Sequence, residues 1–314
     1  MSTTLPELCV GEHRWTVAAG SNLLDALNDA GFAVPYSCRA GSCHACLVRC
    51  CQGQPADALP EALALDKYAL GWRLACQCRV VADLQVALFD PHSDGLCAQI
   101  CTLDWFDQVL RLRLRPERPM RYQVGQHVLL WNGGVARPYS LASVPGEDDF
   151  LEFHIDCRRP GAFCDLARAL RVGDELRLGE LRGGALHYDP DWQTRPLWLL
   201  AAGTGLAPLW GILREALRQG HEGQIKVVHV AHSAQGHYLA QALNELAGQH
   251  RQLSVEWVIA DQLQQALAGL RVESRQTMAL LCGSPASVER FARRLFIAGV
   301  PRNQVLADVF TEHV

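Results

Sequence analysis

The sequence predicts a multidomain protein of the α+β and α/β classes. Three observations predict it. Eight of the thirteen cysteines fall within residues 1–92; strictly alternating segments dominate residues 97–192; and from residue 193 onward continuous apolar runs alternate with helical stretches. At roughly 100–150 residues per domain, 314 residues make two to three domains. The balance of 49% hydrophobic and 20% charged residues excludes a disordered, collagenous or coiled-coil chain. A net charge of −4 gives no basic surplus for nucleic acid or an anionic membrane.

Taken in order, the first domain (1–92) reads as strand over 4–10, strand over 13–17, a helix from Ser21 to Ala30, a cysteine-rich loop, strand over 46–51, a short helix and strand over 84–88. Ser21 is the expected N-cap, Leu23, Leu24 and Leu27 share one face, and Gly31 ends the helix. Pro91–Gly95 is the first linker signal. In the second domain (97–192), Leu110–Leu114 and Leu151–Asp156 alternate apolar and polar residues, as half-buried antiparallel strands do. Their spacing predicts a small antiparallel β-barrel. In the third (193–314), apolar runs at 197–202, 225–231, 253–259, 278–282 and 305–310 are separated by helices expected over 206–219, 238–248 and 285–298. Buried strands alternating with helices predict a doubly wound parallel sheet.

The residues before Trp15 lack a basic n-region and an apolar core, so no secretory signal is visible and a reducing, cytoplasmic setting is expected. Pro196–Leu213 is 18 residues without a charge, but two prolines and three glycines interrupt it. A strand, a glycine turn and the start of a helix account for it better than a membrane span.

Cys38, Cys43 and Cys46 form C-x4-C-x2-C, with Cys76 further on, the ligand spacing of a plant-type [2Fe–2S] centre. Gly41 lets the backbone approach the sulfides, and small Ala40, Ser42 and Ala45 leave amides free to face a negative cluster. Zinc, a redox dithiol and incidental cysteines are the alternatives; Cys76-Gln-Cys78 has the wrong spacing for a second zinc C-x2-C, and Leu47 excludes haem attachment. The stretches Tyr36–Cys46 and Leu74–Gln77 resemble the two signatures of plant-type ferredoxins, which implies a β-grasp fold and ligation by Cys38, Cys43, Cys46 and Cys76, with Cys78 an alternative to Cys76.

Arg137-Pro138-Tyr139-Ser140 follows a strand containing Gly125-Gln126. Were a flavin dinucleotide to lie there, Arg137 would fork onto pyrophosphate, Pro138 would stiffen the strand end, Tyr139 would lie on the isoalloxazine and Ser140 would hydrogen-bond near N5. An exposed Arg beside a core Tyr is the plainer reading. In context the segment resembles the ferredoxin-NADP reductase superfamily, and so does Val172–Leu178. The resemblance implies FAD, with Gly161, Ala162, Phe163 and Cys164 at its pyrophosphate and His154 among the cofactor contacts; Cys164 stands where Ser or Thr is common.

Gly203-Thr204-Gly205, between strand and helix, permits close approach of a pyrophosphate; Pro208 rules out the Rossmann fingerprint but suits a helix's first turn. This turn and Cys282-Gly283-Ser284-Pro285 resemble the pyridine-nucleotide half of the same superfamily. That implies Cys282 beside the nicotinamide and Asp308 and Phe310 near the flavin, with Ser140, Cys282 and Asp308 as candidate catalytic residues.

The order of cluster, flavin and nucleotide segments resembles the NADH-dependent reductase components of multicomponent bacterial oxygenases. The resemblance implies an enzyme that takes hydride from NADH onto FAD and passes single electrons through a [2Fe–2S] cluster to a partner protein, an oxygenase component. A reductase serving another acceptor, such as a sugar-deoxygenation enzyme, and a non-enzymatic redox sensor are the alternatives.

Overall fold

The computed structural model describes residues 5–36, 38–272 and 274–310. In the N-terminal segment a five-stranded sheet has the order His13–Thr16, Glu7–Val10, Leu84–Leu88, Leu47–Gln52, Trp72–Leu74, its second and third strands parallel. A helix at Leu23–Asp29 buries Leu23, Leu24 and Leu27 with Leu8, Val48, Leu74 and Val86. The cap differs from expectation. Ser21 is in a short strand paired with Val80, and it is Asn22 whose side chain accepts from the amides of Leu24 and Asp25, at 3.1 and 3.3 Å. Either residue type caps well; the helix begins at Leu23, which puts Asn22 at the cap position. Gly31, at φ +89°, follows the helix in the left-handed conformation that ends it.

A six-stranded sheet forms the half-barrel, in the order Val135–Ser140, His127–Asn132, Glu175–Arg182, Leu96–Phe106, Val109–Pro116, Leu151–Asp156. The alternation of Leu110, Leu112 and Leu114 puts all three inside, fully buried, while Arg111 and Arg113 face the other way.

The C-terminal sheet is parallel throughout, in the order Leu253–Ile259, Ile225–Ala231, Leu197–Ala202, Met278–Gly283, Val305–Val309. Leu197, Leu199 and Ala201 pack into one apolar layer and Trp198 and Leu200 into the other, so both faces are covered. Helices occupy Leu206–Arg218, Ala240–Gln249, Leu263–Gly269 and Pro285–Ile297. The charge-free stretch at 196–213 is a strand, a turn at Gly203–Gly205 and the start of a helix. Among the described residues no helix is long and apolar enough to cross a membrane. The strand order reverses between Leu197–Ala202 and Met278–Gly283, the place where open α/β sheets bind ligands.

By compactness the chain divides into two units. One comprises the residues up to Leu96 with Leu129–Pro138 and Arg177–Arg182; the other comprises Cys97–Val128, Tyr139–Leu176 and the residues from Gly183 onward.

Candidate functional site

In the first unit the four spaced cysteines come together. The loop that carries Cys38, Cys43 and Cys46 turns through left-handed conformations at Arg39 (φ +50°), Gly41 (+82°) and His44 (+55°). A Cβ on Gly41 would lie 2.6 Å from Leu59 Cδ2, so the loop is packed as well as bent. Cys76 is supplied by a single 3-10 turn, Ala75–Gln77, whose carbonyl at Cys76 accepts from Asn22 Nδ2 at 2.9 Å. Cys38 and Cys43 each donate a backbone amide to the other's sulfur, at 3.4 and 3.3 Å, and the Ala75 amide donates to Cys46 O at 3.0 Å, which sets the neighbouring Cys76 against Cys46. Amides of Ala40 and Cys43 donate to Cys38 Sγ at 3.3 Å each, and Gln77 Nε2 donates to Cys76 Sγ at 3.3 Å. Two pairs of thiols ringed by N–H donors are what two bridged irons require. Among the described residues no three His, Cys or carboxylate side chains surround one ion position. The residues fit a [2Fe–2S] cluster. Cys78 faces away, fully buried among Leu8, Leu24 and Val80.

One partner of this loop was not visible in the sequence. His44 Nδ1 lies 3.1 Å from Glu180, a nearly buried carboxylate that also pairs with Lys67 and Arg182. Burial, with Arg182 nearby, pulls His44 down to about 4, so the imidazole is neutral at pH 7. An isolated Glu in a Gly-rich strand end, 136 residues from its partner, carries no local pattern that would have revealed it.

In the second unit, Tyr139 and Phe163 rings meet at 5.1 Å and 55°, and Ser140 is nearly buried beside them in sequence. Gly161, Ala162, Phe163 and Cys164 lie at the start of a six-residue helix, Ala162–Ala167, with open space where a Cβ on Gly161 would point. The first amides of such a helix have no partner within it. Aromatic wall, hydroxyl, free amides and open space fit a flavin dinucleotide. Arg137, on the same strand as Tyr139, is half-buried and donates to its neighbour's carbonyl, Ala136 O, at 2.7 Å.

The ring nitrogens of His154 are turned to protein partners. It is buried, its Nε2 3.0 Å from Glu152 Oε1 and its Nδ1 2.9 Å from the Tyr238 hydroxyl, so both nitrogens are spent inside the protein. Burial opposes the Glu152 charge, but His154 and Arg113 (2.6 Å away) hold its carboxyl down to about 2. Tyr238, wholly buried, remains a phenol. The helix expected from 238 begins at Ala240.

At the carboxyl edge of the parallel sheet the nucleotide candidates converge. Gly203 is left-handed (φ +57°), and a Cβ on Gly205 would lie 2.4 Å from the carbonyl oxygen of Cys282. Pro208 lies in the first turn of Leu206–Arg218, where a missing N–H costs nothing. Register pairs Cys282 with Ala201 on one side and Asp308 on the other, and the Phe310 amide donates to Gly283 O at 2.8 Å. Burial drives the Cys282 thiol well up and raises the Asp308 carboxyl as well. His229, the one polar ring in an apolar strand, reaches back to Gly203 O at 3.1 Å. That interruption of the run 225–231 was the available signal.

Residues 10–81 match the model of the 2Fe-2S iron-sulfur cluster binding domain, and residues 199–294 that of the oxidoreductase NAD-binding domain. The reductase component of a naphthalene 1,2-dioxygenase system from Pseudomonas putida is 30% identical over 93% of this chain and 94% of its own. The chain belongs to the reductase components of multicomponent oxygenases. This oxygenase-type reductase is an oxidoreductase whose cofactors are a [2Fe–2S] cluster and FAD, with NAD(P)H as substrate. Its fold matches that of a cytochrome P450 reductase from Amycolatopsis, with TM-score 0.65, 26% identity, and coverage of 98% of this chain and 99% of that one. A CDP-6-deoxy-L-threo-D-glycero-4-hexulose-3-dehydrase reductase of Yersinia pestis is 26% identical over 66% of this chain and 65% of its own.

Proposed function

We propose that this reductase draws electrons in pairs from NADH and hands them singly to an oxygenase component. The observation that carries the reading is the match in one order, cluster loop to flavin stretch to nucleotide edge, over nearly the full length of a dioxygenase reductase component. The three larger of the four sheets support three domains, bounded at 1–92, 97–192 and 193–314. When bound, the flavin exchanges paired for single electrons and the cluster carries the single ones.

The chain's own residues do the rest. Cys38, Cys43, Cys46 and Cys76 would hold the cluster's irons. Arg137 neutralises pyrophosphate charge together with the amides of Ala162–Cys164, and Pro138 fixes the strand end. Tyr139 and Phe163 wall the flavin ring, while Ser140 offers a hydroxyl to its edge. Gly203, Thr204 and Gly205 admit the nucleotide's pyrophosphate to the sheet edge, Cys282 and Gly283 bound the nicotinamide pocket, and Phe310 lies toward the flavin. The Cys282 thiol, protonated by burial, is an apolar filler that excludes water. Asp308, with its carboxyl raised, adds little negative charge there.

NADH is the substrate that the second strand favours. A 2′-phosphate needs a cation near the end of Ile225–Ala231, and residues 232–237 contain no Arg or Lys. His237 is no substitute: burial lowers it, and its Nδ1 is occupied by His229 at 3.2 Å. Anaerobic NADH should bleach both flavin and cluster absorption, with kcat/KM above that for NADPH at pH 8, and the reduced protein should then reduce an oxygenase component. A cluster that stays oxidised under excess NADH would reject the reading. Reduction of a sugar-dehydrase protein in preference to an oxygenase component would transfer it to the role named for the Yersinia relative.

A further inference from the structure

The loop that carries Cys38, Cys43 and Cys46 is held on the barrel strands by two kinds of contact. One is apolar: Cys43 and Ala45 pack with Leu129, Trp131 and Ala136, from the strands His127–Asn132 and Val135–Ser140. The other is polar. His44, between those two loop residues, brings its Nδ1 to 3.1 Å from Oε2 of Glu180 on the strand Glu175–Arg182, the two side chains only 4% and 9% exposed. Glu180 also pairs with Lys67 of the short helix Leu65–Ala69 and with Arg182. One carboxyl thus gathers the cluster loop, a helix of the N-terminal segment and a barrel strand, and all of these side chains lie in the first compact unit.

Apolar side chains would hold the loop at least as tightly, because a buried charge gives up its hydration. What a hydrogen-bonded charge adds is a single orientation. A carboxylate only accepts, so His44 Nδ1 carries the proton and donates to it. His44 reaches that position from a left-handed backbone (φ +55°), which a non-glycine residue adopts at a cost. Next to Ala136 on its strand stands Arg137, assigned above to the flavin's pyrophosphate. The clasp therefore fixes the cluster loop against the strand that also reaches the flavin.

We propose that Glu180 is a positioning residue for electron delivery: through His44 it clasps the cluster loop to the barrel in the one placement from which the cluster is reduced quickly. The proposal rests on the reading that electrons pass from flavin to cluster. Each transfer moves one electron between those two groups, and no bond or proton changes hands at Glu180.

Stopped-flow mixing of the anaerobic holoprotein with NADH separates the flavin's bleaching from the cluster's. Glu180→Ala should leave flavin bleaching within about twofold of wild type and slow cluster bleaching about tenfold or more. Glu180→Gln, which keeps an oxygen for the Nδ1 donor, should recover most of that loss. His44→Gly removes the ring without straining the left-handed turn and leaves Glu180 its pairs with Lys67 and Arg182, so it carries the same test if Glu180→Ala fails to hold its cluster. The double variant should be no slower than the slower single one, since both break one contact. At unchanged iron content, hydrogen exchange of the oxidised holoprotein should quicken across residues 38–46 in Glu180→Ala and stay as in wild type across Leu47–Gln52. Cluster bleaching at the wild-type rate in a variant that retains its cluster would overturn the proposal. So would equal slowing of flavin and cluster, unchanged exchange across 38–46, or a double variant slowed by the product of the two single effects. A wild-type protein whose cluster stays oxidised under excess NADH rejects the electron path itself, not the clasp alone.

Discussion

His229 shows how one side chain can govern the nucleotide edge. Gly203 O can only accept, so the imidazole carries its proton on Nε2, and Nδ1 must accept from the Nδ1–H of His237. Burial, with His237 beside it, holds His229 down to about 3, which keeps that tautomer throughout the neutral range. Replacing it by Leu leaves the Gly203 carbonyl without its donor. The KM for NADH should rise about tenfold, a hydrogen bond's worth of about 1.4 kcal/mol, with kcat little changed. His229→Gln, which restores a donor, should recover most of the loss; equal KM values in both variants would dissociate the ring from the loop. The sign of the pH effect follows from the same residue. Its folded pKa lies below the ordinary 6.5, so its contribution is complete above 6.5 and is lost as pH falls toward 3. Glu152, depressed from 4.5 to about 2, adds a loss in the same direction below 4.5. In pH-dependent denaturant melts His229→Gln should lower the stability slope between pH 6.5 and 4.5 by ~1.4 kcal/mol per pH unit, one proton's worth. An unchanged slope would place the titration elsewhere.

At the scale of elements, the glycine turn carries the sharpest constraint. A methyl on Gly205 would meet three backbone atoms of the neighbouring strand end: Cys282 O at 2.4 Å, Cys282 C at 2.5 Å and Gly283 N at 2.8 Å. Backbone cannot rotate aside as a side chain can, so Gly205→Ala should push the two strand ends apart. We expect kcat/KM for NADH to fall about a hundredfold or more, some 2.7 kcal/mol, while flavin and cluster spectra persist. Gly248, inside the helix Ala240–Gln249 with no atom near its would-be Cβ, is the control; there Ala should stabilise by ~0.5–1 kcal/mol. Most elements could be read from the residues because burial writes itself into them: the apolar runs at 197–202, 225–231 and 253–259 are strands with those same ends. What could not be read depended on partners far away in the chain. The Tyr238 hydroxyl bonds His154, 84 residues away, the capping Asn22 also holds the Cys76 carbonyl, 54 residues on, and the short helix Leu263–Gly269 has too few turns to show a period. The site divides the same way. Ligand spacing and glycine turns are local and visible, whereas the links from Glu180 to His44 and from His229 to Gly203 are tertiary.

For the molecule as a whole, the cluster loop lies in one compact unit and the nucleotide edge in the other, each with its own apolar core. Accepting electrons from NADH and delivering them to a protein are then separable by mutation. Cys46 is set against Cys76 and packs against Leu47 and Leu74, so Cys46→Ser removes one thiol while changing little volume. The variant should lose the visible absorption of its cluster and keep its flavin. Its NADH-to-ferricyanide rate should stay within about twofold of wild type, because a small dye meets the flavin directly. If the cluster is the exit for electrons, as proposed, turnover with an oxygenase component should fall at least a hundredfold. Tyr139→Ala makes the opposite lesion: it strips the aromatic wall from Phe163 and should lower both rates by the same factor. These signatures separate two designs for the same chain. If Cys46→Ser lost its cluster and still served the oxygenase component at the wild-type rate, electrons would be leaving from the flavin, and the cysteine-rich unit would be a sensing or docking module on a reductase that does not need it.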